Sequence, residues 1–140
     1  MSDRPSVASV IEQFNLAFQT HDPSLLDDLV GENCVMEAVD PAPNGTRYGG
    51  ADACLDFWRA LANDQASSFA PEAVDVLGDR AIIRWRYTFG PNPNDSVRGV
   101  NLMRVENATI TEALGYVKSG DTQVVSALDA AIQAANGERT

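Results

Sequence analysis

Two residues in this sequence invite a chemical reading, Asn101 and Asp40. Asn101 lies in GVNLMRVENATITEALGYVK, Gly99 to Lys118, which reads as two strands joined by a tight turn. One face of the first strand would carry Val97, Gly99, Asn101, Met103 and Val105. That face is small or apolar apart from one primary amide, and a buried amide needs partners. It can donate a hydrogen bond at any pH, and so could hold a carbonyl or a developing enolate oxygen. Equally, it could be a structural amide bonded to backbone or buried water. Asp40 precedes Pro41 at the end of an expected strand. Beside apolar neighbours its pKa would rise and it could act as a general base. Asp-Pro is also common turn chemistry, which is the commoner role.

The remaining polar residues offer less. His21 stands before Asp22 in an expected helix–helix turn and reads as a solvated loop residue. Cys34 and Cys54 lack metal-type spacing. With one histidine in the chain no Cys/His metal cluster can form, so no metal is expected. Both cysteines read as small core residues of a reducing compartment. Glu37 has the opposite strand parity from Asp40. There is no Gly-x-Ser-x-Gly elbow and no phosphate-binding glycine loop.

The 140 residues suit one domain able to bury a core. Twenty acidic against ten basic residues give a net charge of -10, spread along the chain. This argues against nucleic acid, which needs a basic footprint, and mildly against anionic membranes. No apolar run is long enough to span a bilayer. The N-terminus MSDRPSVASV lacks the features of a signal peptide, so a cytoplasmic location is the default expectation.

These residues must be positioned by a small set of elements. SVASVIEQFNLAFQTHD predicts a helix, with Val7, Val10, Ile11, Phe14, Ala17 and Phe18 on one stripe and Ser6 as cap. DPSLLDDLVG predicts a second, short helix with Asp22 as N-cap, Pro23 in its first turn and Gly31 at its C-terminal αL position. CVMEAV reads as a strand and DPAPNGTRYGG as a loop; ADACLDFWRALA is the third helix. Strands then follow at PEAVDVL, RAIIRWRYTF, VRGVNLMRV and TITEALGYV, with hairpin turns at Gly78-Asp79 and Glu106-Asn107-Ala108. A weaker helix closes the chain at DTQVVSALDAAIQAANG. The expectation is α+β: helices packed on one face of a long antiparallel sheet.

Alternation sorts RAIIRWRYTF into Ala81, Ile83, Trp85, Tyr87 and Phe89 facing inward and Ile82, Arg84, Arg86 and Thr88 facing out. If Thr111, Ala113, Gly115 and Val117 also face inward, small floor residues lie beside large aromatic walls and leave a cavity. Phe14, Phe18, Trp58, Trp85, Tyr87 and Met103 are candidate wall residues, and Tyr48 a phenol donor at the rim. For any one of these, plain packing is the alternative, and for Tyr48 packing of its loop on the third helix is favoured. The outer face mixes Val100, Leu102, Leu114 and Tyr116 with Arg84, Arg86, Arg104 and Glu112. That pattern favours a two-fold dimer interface over a solvent face of paired charges.

The order of elements, and the pieces FNLAFQTHDPSLLDDLVGENCVMEA, RYGGADACLDFWRAL and VRGVNLMRVENATITEALGYV, resemble the SnoaL-like branch of the nuclear-transport-factor-2-like superfamily over about residues 6–118. The resemblance implies a cone-shaped fold with a pocket between sheet and helices, a C-terminal helical extension at 119–140, and often a dimer. The superfamily includes ketosteroid isomerases, polyketide cyclases, limonene-type epoxide hydrolases and non-enzymatic domains. The isomerase tyrosine position resembles Phe14, the acid-donor position Asn101, and the base position lies near Ala38, two residues before Asp40. The aspartate of the epoxide hydrolases falls at Gly115. These departures argue against both strict activities.

The reading is therefore a pocket for a small, largely apolar, carbonyl-bearing molecule, with isomerase- or cyclase-type proton transfer through Asp40 and Asn101. No cofactor is required. The alternative is a non-catalytic ligand-binding or dimerisation domain of the same fold.

Overall fold

The computed structural model describes residues 6–39 and 44–118. Helix α1, Val7–Gln19, starts where Ser6 Oγ accepts from the Ser9 amide. It buries Val10, Ile11, Phe14, Ala17 and Phe18, the stripe expected from helical spacing apart from Val7, which is half-buried. It ends on His21, whose φ is +55°, with the Asp22 amide donating to Ala17 O at 2.9 Å. This is a left-handed helix cap with histidine where glycine is commonest. His21 is not the solvated loop residue the sequence suggested. It is half-buried, and its Nδ1 lies 3.0 Å from Ala62 O, tying the end of α1 to the last turn of the next helix.

The expected second helix is a single 3-10 turn, Pro23–Leu26. Its bonds run from Leu25 N to Asp22 O and from Asp27 N to Ser24 O, an i to i+3 pattern. Strand β1, Val30–Ala38, starts too soon afterwards for a further helical turn. Gly31 consequently belongs to β1 rather than to a helix end. A Cβ there would stand 3.0 Å from Thr109 Oγ1 and 3.2 Å from Ile110 O, so the missing side chain lets two strands approach. Part of the expected loop forms a short strand β2, Thr46–Gly49, leading into α2, Ala51–Asn63. Strands β3 (Ser68–Leu77), β4 (Arg80–Thr88), β5 (Ser96–Glu106) and β6 (Thr109–Lys118) complete the sheet. The expected C-terminal helix lies outside the described residues.

The strand order is β2-β1-β6-β5-β4-β3. The sheet is mixed and not purely antiparallel, because β1 runs parallel to β6. The long excursion through α2 and the β3–β6 meander is what permits a parallel pair. Helix α1 packs on β3 and α2 on β1, covering one face. On β4 the buried residues are Ala81, Ile83, Trp85 and Tyr87, as alternation requires. On β6 the register shifts between the pairs Arg104–Glu112 and Val105–Ile110. This bulge turns Ile110 inward, fully buried, although its parity set it with outward Leu114 and Tyr116.

The β5–β6 hairpin closes on Asn107 and Ala108, both with positive φ. This is the two-residue turn that prefers Asn-Gly. Alanine in the left-handed region is strained by roughly 1 kcal/mol or more. Ala108→Gly is expected to stabilise the protein by about 0.5–1 kcal/mol, net of the entropy glycine loses. A denaturant midpoint that does not rise would show that the turn carries no strain.

Cys34 and Cys54 are free and fully buried, side by side between β1 and α2. Burial, reinforced by the neighbouring Cys54, pushes the Cys34 thiol up to about 12. A thiol in the unfolded chain titrates near 8.5. Between these values the folded protein keeps a proton that the unfolded chain has lost. Stability should be fully present below about pH 8.5 and fall as pH rises towards 12, at up to about 1.4 kcal/mol per pH unit. Urea titrations across that range test it, and Cys34→Ala should flatten the slope.

Candidate ligand pocket

A cavity of about 80 Å³, open at its mouth, lies between the helices and the inner face of the sheet. Phe14 and Phe18 reach it from α1, and Phe57, Trp58 and Leu61 from α2. The sheet supplies Met36, Phe69, Ile83 and Trp85 as walls, with Ala113 and Gly115 as small floor residues. The aromatics brace one another edge to face. Phe14 lies 5.0 Å from Phe18 and 5.1 Å from Trp58, and Phe69 lies 5.4 Å from Trp85 between ring centroids. Such a box is stiff, because each ring limits the rotamers of the next.

The expected site residues divide here. Phe14, Phe18, Trp58, Trp85 and Asn101 share this cavity. Tyr48, Tyr87 and Met103 do not line it. Tyr48, on β2, packs its ring 5.1 Å from Phe57. Met103 is 1% exposed, within the solid part of the core. Tyr87 is fully buried, stacked 4.5 Å from Phe69, and burial raises its phenol above the ordinary range. Its hydroxyl has no hydrogen-bond partner among the described residues. Asp40 lies outside the described residues, one position beyond the wall residue Val39.

Sequence reasoning missed Asn15 and Phe69, both in the wall. Asn15 flanks the apolar stripe of α1 and looks like any polar residue at its edge. Phe69 falls outside the strand that the sequence pattern starts at Pro71. In the structure β3 begins at Ser68, and as an edge strand it tolerates the proline beside a register shift.

Polar groups are few. Glu37 borders the cavity, but Arg47 holds its carboxylate at 2.8 Å. The Asn101 amide opens on the cavity from β5, and its Oδ1 accepts from Trp85 Nε1 at 3.1 Å. Opposite it in register is Gly115, whose missing side chain keeps the space open. A Cβ there would lie 3.3 Å from Asn101 Oδ1. Among the described residues no cluster of His, Cys, Asp or Glu could hold a metal ion. The described wall thus offers an apolar box and two amides able to donate, Asn15 and Asn101, without a free acid or base.

On the other face of the sheet, register aligns Ile82, Leu102 and Leu114 in one row and Arg84, Val100 and Tyr116 in the next. Ile82 and Tyr116 are 42% and 53% exposed. Glu72 bridges Arg98 at 2.8 Å and Arg86 at 3.1 Å, and the Arg98 hydrogen bond leads in holding its carboxyl below the usual range. Among the described residues no helix is long and apolar enough to cross a membrane.

An α+β unit with a pocket under a six-stranded mixed sheet defines the nuclear-transport-factor-2-like class. Within it, the chain belongs to the SnoaL-like domain family, whose model matches residues 11–113. An NTF2-like protein of unknown function from Mesorhizobium loti is 48% identical, with a TM-score of 0.75 over 81% of this chain and 91% of that one. An LEH-like epoxide hydrolase from M. tuberculosis is 16% identical, with a TM-score of 0.67 over 96% and 95% of the two chains. An NTF2-like protein of unknown function from Cytophaga hutchinsonii is 11% identical, with a TM-score of 0.66 over 84% and 95%. The last two likenesses concern the fold alone. No curated protein matches the chain.

Proposed function

We propose that the protein binds a small, largely apolar, carbonyl-bearing molecule in this cavity and moves a proton on it, in isomerase- or cyclase-type chemistry. The observation that carries the reading is the Asn101 amide, a hydrogen-bond donor set in an aromatic-walled cavity. Such a donor, preorganised in a dry site, stabilises a carbonyl oxygen and more strongly an enolate. In this reading Asp40, next to the wall residue Val39, supplies the base. A structure of the same fold is described as an LEH-like epoxide hydrolase, which supports an enzymatic reading. A thermal-shift screen of hydrophobic carbonyl compounds tests the binding. A ligand present at about a hundred times its dissociation constant adds roughly 2.7 kcal/mol of stability. A screen without stabilising compounds removes the reading. Loss of proton exchange, but not of binding, in Asp40→Asn would assign the base.

The second reading, a ligand carrier without turnover, is favoured by one observation: the one carboxylate of the described wall, Glu37, is tied to Arg47. A ligand that binds unchanged, with no proton exchange at its α carbon, would select it. We further propose that the outer sheet face forms a homodimer through its rows of Ile82, Leu102, Leu114 and Tyr116. Leu102→Lys should then yield monomers in sedimentation experiments where the wild type sediments as a dimer.

A further inference from the structure

We infer that Trp85, seated on Gly99, sets the specificity of the pocket by fixing which end of the Asn101 amide faces a ligand, so that the site takes hydrogen-bond acceptors and rejects donors. The inference rests on reading the cavity as a ligand site.

An asparagine amide has two ends of almost equal shape and opposite chemistry. Left free, it turns over and serves donor and acceptor ligands alike. Here it is not free. The Trp85 indole Nε1 carries a hydrogen and can only donate. It lies 3.1 Å from Asn101 Oδ1. Turning the amide would set its NH2 against the indole N–H, donor against donor, in a site where an unsatisfied polar group is costly. The oxygen is therefore committed to Trp85. The nitrogen has no partner among the described residues and is left to the cavity.

The indole in turn is held by sequence and register. Trp85 stands opposite Gly99 on β5, and Asn101 is two residues further along the same strand, the diagonal neighbour. The indole lies so close over Gly99 that a Cβ there would fall 2.4 Å from Cη2 and Cζ2. Phe69 closes the other side at 5.4 Å. The ring cannot turn its N–H away without leaving a packed slot. Trp85 thus acts through Asn101 as a positioning residue, in addition to being a wall.

Three bicyclic probes of similar shape separate the possibilities: 1-indanone, which accepts; indole, which donates; and indene, which does neither. Each is titrated into the wild-type full chain, Trp85→Phe and Asn101→Leu, followed by NMR. In the wild type, 1-indanone should bind about tenfold more tightly than indole, the factor expected when one buried hydrogen bond is made and the other refused. In Trp85→Phe the amide can turn over, and the ratio should fall to within about threefold. Taking the ratio within one variant cancels the change in cavity volume. In Asn101→Leu the tenfold preference for 1-indanone over indole should be lost.

A tenfold preference that persists in Trp85→Phe overturns the inference and leaves the ligand reading standing. If none of the probes binds the wild type, the ligand reading falls and the inference with it. A wild-type readout keeps the test independent of the variant's folding. 1-Indanone should shift the Asn101 side-chain NH2 resonances while the Trp85 indole N–H stays protected from exchange. A Trp85 N–H that exchanges as fast as a free indole also overturns the inference.

Discussion

Asn101→Leu is expected to stay folded and to lose about tenfold to a hundredfold in affinity for a carbonyl ligand, the value of one hydrogen bond to a preorganised donor in a dry site. Two effects on stability oppose one another. The Trp85 indole, on a residue only 7% exposed, loses its acceptor, which costs about 1–3 kcal/mol. Leucine adds apolar surface to an apolar cavity and recovers part of that, at about 25 cal/mol per Å². The net change should be a loss of about 1 kcal/mol. Denaturant unfolding beside a ligand titration separates the two quantities. A variant that unfolds outright would show that the amide supports the core and would remove the ligand role. A variant that binds carbonyl compounds unchanged would remove it as directly.

Gly99→Ala should be the more destabilising change, although it adds one methyl group. The added carbon would lie 2.4 Å from the Trp85 ring and 2.5 Å from Tyr116 O. The ring is held by Phe69, and the carbonyl belongs to β6, paired with β5 at Gly99–Val117. Neither can retreat alone. Overpacking of this kind costs about 1–3 kcal/mol, and contact with backbone as well as a ring places this site at the upper end. The displaced indole also lets go of Asn101, so carbonyl affinity should fall together with stability. Denaturation midpoints and the Trp85 indole N–H resonance measure the two losses. A change below about 0.5 kcal/mol, ordinary for a surface substitution, would mean that the indole swings clear, and that its seat is not fixed by Gly99.

Both expectations turn on contacts that no local pattern in the chain announces. Trp85 and Asn101 are sixteen positions apart, and each looked plausible alone as core or as site. Their meeting depends on the register of β4 on β5, which places Asn101 diagonally from Trp85. Alternation along β4 placed Tyr87 inward with Trp85, and both are buried. It could not say that Trp85 borders the cavity and Tyr87 the solid core. A period of two separates inside from outside and carries no information about what lies opposite the inner face. That is decided by where α1 and α2 rest on the sheet.

What the sequence determined by itself are the features set by local periodicity: the buried stripe of α1, the inward set of β4, the hairpin at Gly78-Asp79, and an amide among small and apolar residues on β5. These follow from 3.6-residue and two-residue repeats, which each segment carries within itself. The parallel pairing of β1 with β6, the bulge that turns Ile110 inward, the His21 tie to Ala62 and the Trp85 bond to Asn101 were decided by tertiary structure alone. Each depends on a partner remote in the chain. Such a partner is selected by the packing of the whole sheet and its helices, not by the residues on either side.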